Sequence, residues 1–137
     1  MKKKSKLSLR EKADKLFSVW IRLRDRIDGE CECYTCGKRA NYKSMQCGHF
    51  VPRQYLSLRY DEVNCHSQCY VCNMLYNGQP SSFAKRLDED YGIGTVFQLE
   101  GRRKETNRNF DYKWVIDIYT EKLEKLGWDT KKGTWKE

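Results

Sequence analysis

Cys33-Tyr34-Thr35-Cys36-Gly37 and Cys69-Tyr70-Val71-Cys72-Asn73 form two knuckle-spaced cysteine pairs, with residues 37 to 68 between them. Four thiolates satisfy a tetrahedral zinc ion and leave no coordination position open, which is the arrangement of a structural site. Gly37 lets the first knuckle turn tightly, so that backbone N–H groups point at the sulfurs. The second pair opens an expected short helix whose N-terminal dipole favours thiolate. These pairs decide the fold: an α+β chain built on a small zinc-stapled strand–turn–strand–helix core and flanked by α-helices. Cys47 and Cys65 fall on the two expected strands and read as core thiols. Cys31, in Cys31-Glu32-Cys33, could exchange roles with Cys33 in the first knuckle.

Within that window, residues 43–50 and 62–68 read as extended and are joined by a long turn containing Pro52. Residues 69–76 read as a short helix stopped by Asn77-Gly78 and Pro80. Upstream, Ser8-Leu9-Arg10-Glu11 has the form of a capping box. Leu9, Ala13, Leu16, Phe17, Trp20, Ile21 and Ile27 follow at helical spacing, which predicts a helix over 9–27 with one apolar face and one basic face. Downstream, Ser81 or Ser82 caps a helix that Gly92 ends, and 95–99 is a further helical turn. Residues 101–109 read as an exposed basic loop carrying Arg102, Arg103, Lys104 and Arg108. A last helix over 111–126 aligns Trp114, Val115, Ile118, Tyr119 and Leu126, with Gly127 as its terminator. The tail from Lys131 is expected to fray, and Trp128 and Trp135 to be exposed. The organisation is a single domain over 1–137, with a basic helix in 1–30, the zinc-bound core in 31–80 and a helical part in 81–137.

The 137 residues carry 27 Lys and Arg against 19 Asp and Glu, a formal net charge of +8. That excess suggests a polyanionic partner, nucleic acid before others. No apolar run approaches the ~20 residues that span a bilayer, so no membrane partner is expected. The start of the chain is basic and then amphipathic, unlike a secretory leader. The expected compartment is therefore a reducing cytoplasm, where cysteines bind metal rather than pair as disulfides.

Gln46-Cys47-Gly48-His49-Phe50-Val51-Pro52-Arg53 runs between the two cysteine pairs, with Asn64 on the return strand and Asn73 directly after Cys72. Phosphodiester hydrolysis needs a base for water and a cation for the charge on the phosphate and leaving oxygen. His49 suits the first role, because an ordinary imidazole titrates near pH 6.5. The side-chain oxygen of Asn73 suits a hard divalent ion such as Mg²⁺ or Mn²⁺. Asn64 suits fixing the turn and orienting the imidazole. Arg53 and Arg59, which flank the turn, are candidates for phosphate contact. The basic face of the first helix, Arg102, Arg103 and the Lys-rich ends would add contacts to the DNA backbone that do not depend on sequence.

The order Cys-x-x-Cys, Gly48-His49-Phe50, Asn64, Cys-x-x-Cys-Asn resembles the HNH or ββα-metal nucleases, whose small core is treble-clef-like. Gly48-His49-Phe50, the stretch Leu58-Arg59-Tyr60-Asp61-Glu62-Val63-Asn64-Cys65-His66-Ser67-Gln68-Cys69, and Cys72-Asn73 resemble the phage NinG family, also called Rap. The Cys-Asn ending of the second knuckle is similar to that of phage endonuclease VII, a Holliday-junction resolvase. The resemblance implies a structure-specific endonuclease for branched recombination intermediates, encoded by a phage or prophage. It makes His49 the general base, Asn73 a ligand of the catalytic ion, and Cys33, Cys36, Cys69 and Cys72 the ligands of one structural zinc. It also makes Asn64 the middle Asn of the pattern. It raises the expectation of a homodimer and of phage or host recombination proteins as partners. Where many HNH enzymes place an acidic ligand before the His, this chain has Gly48. His66 is the preferred replacement, because it shares a strand face with Asn64; Asp61 and Glu62 are the alternatives. A zinc-containing DNA-binding protein without catalysis is the competing expectation, and a zinc-containing protein-interaction module is a third.

Overall fold

The computed structural model describes residues 6–105 and 109–137. Lys2, Lys3, Lys4 and Arg108, among the expected backbone contacts, lie outside the described residues. In chain order the elements are helix α1 (Leu9–Arg24), strands β1 (Cys31–Glu32), β2 (Arg39–Ala40) and β3 (Met45–His49), helix α2 (Leu56–Arg59) and strand β4 (Cys65–Cys69). A single wide helical turn (Val71–Leu75) follows, then helices α3 (Pro80–Tyr91), α4 (Thr95–Gly101) and α5 (Tyr112–Leu126), and strands β5 (Trp128–Asp129) and β6 (Thr134–Trp135). Two compact units divide the chain, Met1–Trp20 with Asn109–Glu137 and Ile21–Arg108, and the boundary falls inside α1.

In the first unit Ser8 caps α1, its hydroxyl oxygen accepting the Glu11 N–H at 3.1 Å. The helix continues into the second unit and ends there at Arg24, three residues short of the expected 27, before the left-handed residues Asp28 and Gly29. Asp111 caps α5 by accepting the Trp114 N–H at 3.1 Å, and Gly127, with φ of 93°, ends it. The buried face of α5 is Val115, Tyr119 and Leu123, and Trp114 is turned outward. Phe17 meets the Tyr119 ring edge-on at 5.0 Å. The tail is paired rather than frayed. β5 and β6 form a hairpin whose turn is held by Asp129 Oδ1, which accepts the N–H groups of Lys131 and Lys132 at 2.9 Å. Trp128 is consequently buried, packed edge-on against Trp135, and is not the exposed residue expected.

The second unit is organised by the antiparallel β3–β4 hairpin, in register Met45↔Cys69, Cys47↔Ser67 and His49↔Cys65. Both strands lie inside the expected extended stretches, apart from Cys69. Alternation along a strand sends neighbouring side chains to opposite faces. Cys47, His49 and Cys65 therefore share one face, and Gln46, Gly48, His66 and Gln68 the other. One apolar cluster gathers Tyr34, Val51, Leu58, Phe83, Leu87 and Leu99, joining the long turn to α3 and α4. A second gathers Cys31, Cys33, Met45, Cys69 and Cys72. Pro80 starts α3 at its first turn, where its missing N–H costs nothing, and neither Ser81 nor Ser82 is the cap. Gly92, with φ of 108°, ends α3 as expected.

Candidate functional site

The four knuckle cysteines converge, with their sulfurs all within 4.8 Å of one another. Gly37, at φ of 79°, closes the first knuckle by donating its N–H to the Cys33 carbonyl at 2.9 Å. The Cys72 N–H points at the Cys69 sulfur at 3.5 Å. Burial opposes ionisation of Cys33, but the Thr35 hydroxyl and the backbone N–H groups of Cys69, Thr35 and Cys36 outweigh it and pull the thiol down to about 6. Burial pushes the Cys36 thiol up to about 12 and the Cys72 thiol upward as well, so the convergence of the four sulfurs, with Cys33 favoured as thiolate, is what fits one tetrahedral zinc ion. Cys31 stays outside this set, its thiol donating to the Arg22 carbonyl at 2.8 Å.

His49 ends β3. Its Nε2 lies 2.9 Å from the carbonyl oxygen of Arg59. A carbonyl only accepts, so Nε2 carries the proton and Nδ1 keeps the lone pair. Burial, and after it the charges of Arg59 and Arg53, lower the imidazole below its ordinary value. At neutral pH the ring is uncharged.

Asn64, fully buried, folds the long turn that presents Arg59. Its Oδ1 accepts the Val51 N–H at 2.8 Å, and its Nδ2 donates to the Val51 and Leu58 carbonyls at 3.0 and 3.1 Å. It thus fixes the turn, as expected, and reaches the imidazole through the backbone near Arg59.

Asn73 stands in a different network, donating Nδ2–H to Gln46 Oε1 at 2.7 Å. The structure does not join it to His49. His66 does not join His49 either. The register places His66 opposite Gly48, on the other hairpin face. Its Nδ1 faces Arg24 Nη2 at 3.0 Å, its Nε2 faces the Val63 carbonyl at 3.0 Å, and its ring stacks on Tyr34 at 3.8 Å. With both nitrogens engaged by the protein, His66 holds the hairpin and has no lone pair to offer a metal.

Gln68 belongs to this region although nothing in the sequence singles it out. This side chain is fully buried, its Nε2 donating to Thr35 Oγ1 and the Gly78 carbonyl at 3.0 and 2.9 Å, while its Oε1 has no partner. A Cβ built on Gly48 would stand 1.9 Å from that oxygen. Gln68 from the opposite strand thus fills the space that any side chain at residue 48 would need. Only the hairpin register reveals this; the spacing of Gly48 and Gln68 along the chain carries no signal.

The expected DNA-contact arginines divide. Arg53 is exposed, and Arg59 donates to its carbonyl at 3.2 Å. Arg102 is committed internally: it pairs with Asp61 at 2.7 Å and donates to the Ser57 carbonyl at 3.1 Å, and the segment 102–104 is a tight helical turn rather than an open loop. Arg103 pairs with Glu100 at 2.6 Å and lies over the Tyr55 ring. From α1, Arg22 donates to the Tyr42 carbonyl at 2.9 Å, and Arg24 to those of Glu62 and Cys65 at 2.7 and 3.1 Å. Both hold the hairpin, so the basic face of α1 is partly spent inside the fold. No helix among the described residues is long and apolar enough to cross a membrane.

Residues 1–129 match the family model described as Bacteriophage Lambda NinG protein. Similar curated proteins are the ninG protein of Salmonella phage P22, 33% identical over 109 residues that cover 72% of this chain and 53% of the relative. Those of Escherichia phages 933W and lambda are each 29% identical, covering 83% and 82% of this chain and 58% and 56% of the relative. The chain spans about half the length of these curated relatives. No solved structure matches it. With the family model covering nearly the whole chain, this protein belongs to the NinG family of bacteriophage proteins.

Proposed function

We propose that the chain is a metal-dependent endonuclease of the ββα-metal (HNH) type that hydrolyses phosphodiester bonds in branched recombination intermediates such as Holliday junctions. The observation that carries the reading is His49: a neutral imidazole at a strand end, anchored through Nε2 to the Arg59 carbonyl and left with a lone pair on Nδ1. In this role Nδ1 takes the proton of an attacking water, and the Nε2 bond holds tautomer and orientation. Asn64 is a positioning residue, since it folds the turn that carries the Arg59 carbonyl. Arg53 and Arg59 are the phosphate-contacting cations, while Arg102 and Arg103 are held in ion pairs.

The carboxamides of Gln46, Gln68 and Asn73 offer oxygen donors of the kind hard cations prefer, and the unpartnered Oε1 of Gln68 is a buried oxygen lacking the donor it requires. Gln46 and Gln68 lie on the hairpin face away from His49, so Mg²⁺ or Mn²⁺ held there would supply positive charge to bound phosphate without touching the water at His49. Asn73 enters such a set by turning its amide, which exchanges Oδ1 for the Nδ2 now facing Gln46.

The test is nicking of a four-way DNA junction with Mg²⁺ or Mn²⁺, lost in His49→Ala while zinc content and DNA binding remain. Absence of cleavage with either ion, on branched, flapped and linear DNA, would overturn it. A second reading, a zinc-stapled DNA-binding protein without catalysis, is favoured by one observation: Gln46, Gln68 and Asn73 include no carboxylate. DNA binding without cleavage would support that reading instead.

A further inference from the structure

Cys65 is fully buried, in keeping with its reading as a core thiol, and Cys47 is half-buried. They converge with His49 on one face of the hairpin, and their sulfurs and an imidazole nitrogen all lie within 4.8 Å of one another. The backbone fixes this arrangement. His49 and Cys65 are directly paired across the ladder, and Cys47 precedes His49 by two residues, so alternation returns it to the same face.

We infer that Cys47, His49 and Cys65 form a second metal site, distinct from the four-cysteine centre, that takes a thiophilic divalent ion of the zinc class. A tetrahedral zinc ion spaces two sulfurs and a nitrogen about 3.5–3.8 Å apart, at bond lengths of ~2.3 and ~2.0 Å. Ligand atoms already within 4.8 Å of one another stand at most about 1.3 Å beyond these spacings. Binding replaces two S–H protons, which leave to solvent, by two metal–sulfur bonds. The two thiolates balance the charge of the ion, which matters because Arg24, Arg53 and Arg59 face this region and Asp61 is the acidic group near Cys65. No fourth Cys, His, Asp or Glu joins the three among the described residues, so these side chains fill three of the four positions of a tetrahedral ion. Three protein ligands differ in kind from the closed four-thiolate centre.

The consequence for cleavage rests on the nuclease reading above. An imidazole that coordinates such an ion is withdrawn from service as a base, so zinc in excess of the structural equivalent inhibits cleavage. The binding itself does not depend on that reading.

The experiment titrates Co²⁺ into the full chain carrying its structural zinc, under a phosphine reductant that keeps the thiols free. Expected is one further ion per chain with a thiolate-to-cobalt charge-transfer band, weakened in Cys47→Ser and shifted in its ligand-field bands in His49→Gln. No such band, or a band unchanged in Cys47→Ser, overturns the site, since the signal would then come from exchange into the four-cysteine centre. If Cys47→Ser does not fold, His49→Gln decides the same question from the ligand-field bands. In the cleavage assay, excess Zn²⁺ should inhibit the wild type and spare Cys47→Ser at the same Mg²⁺ concentration. A chain that never cleaves refutes the nuclease reading, and the cobalt spectrum still decides the site.

Discussion

His49 is held by Arg59: the imidazole Nε2–H reaches the carbonyl oxygen of Arg59 at 2.9 Å, and Arg59 is the last residue of the short helix α2 inside the turn between the hairpin strands. The bond fixes the tautomer, and burial with the nearby arginine charges keeps the ring neutral. If His49 is the base, cleavage needs the uncharged ring. The rate should then be level above the ordinary imidazole value of 6.5 and fall only at lower pH, because the group is shifted downward. His49→Ala should lose about 10²–10⁴-fold in rate. Rates measured across pH with wild type and variant check both; an acid limb above 6.5 would contradict the assignment.

Removal of the structural metal should collapse the second unit. The knuckles join β1 and β2 to the end of β4, and Cys33, Cys69 and Cys72 belong to one of its two buried clusters. A four-thiolate zinc site contributes on the order of 10 kcal/mol of apparent folding free energy. Chelation, or Cys69→Ser, should abolish cooperative unfolding of this unit as followed by circular dichroism. Full retention of that transition without metal would show that the cysteines are only core residues.

Asn64→Ala should destabilise by about 2–4 kcal/mol, read from denaturant midpoints. It removes three hydrogen bonds and strands the Val51 N–H and the Leu58 carbonyl in a buried place. Because the turn also presents the Arg59 carbonyl, cleavage should fall in the variant even at temperatures where it remains folded. A stability loss without an activity loss would confine Asn64 to the fold.

The features legible in the sequence are those whose causes are local. Cysteine spacing, the Ser8 cap, and the glycine stops at Gly92 and Gly127 depend on a few neighbouring residues, and the structure has each of them. What was not legible depends on register and on charge partners. The face expected to be shared by Asn64 and His66 rests on strand spacing, yet Asn64 precedes β4, and the pairing of Gly48 with His66 puts His66 on the face that His49 does not occupy. Gln68 over Gly48 is hidden for the same reason. A run of arginines likewise reads as an exposed patch until Asp61 and Glu100 are seen to hold Arg102 and Arg103.

His66 should make the fold acid-sensitive in a window that can be named. Burial, and next the charge of Arg24, push its imidazole down to about 3, against an ordinary value of 6.5. Below 6.5 the unfolded chain takes up a proton that the native ring refuses, so native stability declines as pH falls. The decline continues to about 3, with a limiting slope of ~1.4 kcal/mol per pH unit. His66→Gln removes this group and should flatten the stability curve between those limits, although it is less stable at pH 7 because the stack on Tyr34 and the bond to the Val63 carbonyl are disturbed. Protonation of the zinc thiolates is common to both proteins and cancels in the difference. Parallel curves for wild type and variant would mean that the native ring is protonated, and with it that Arg24 does not face an imidazole lone pair.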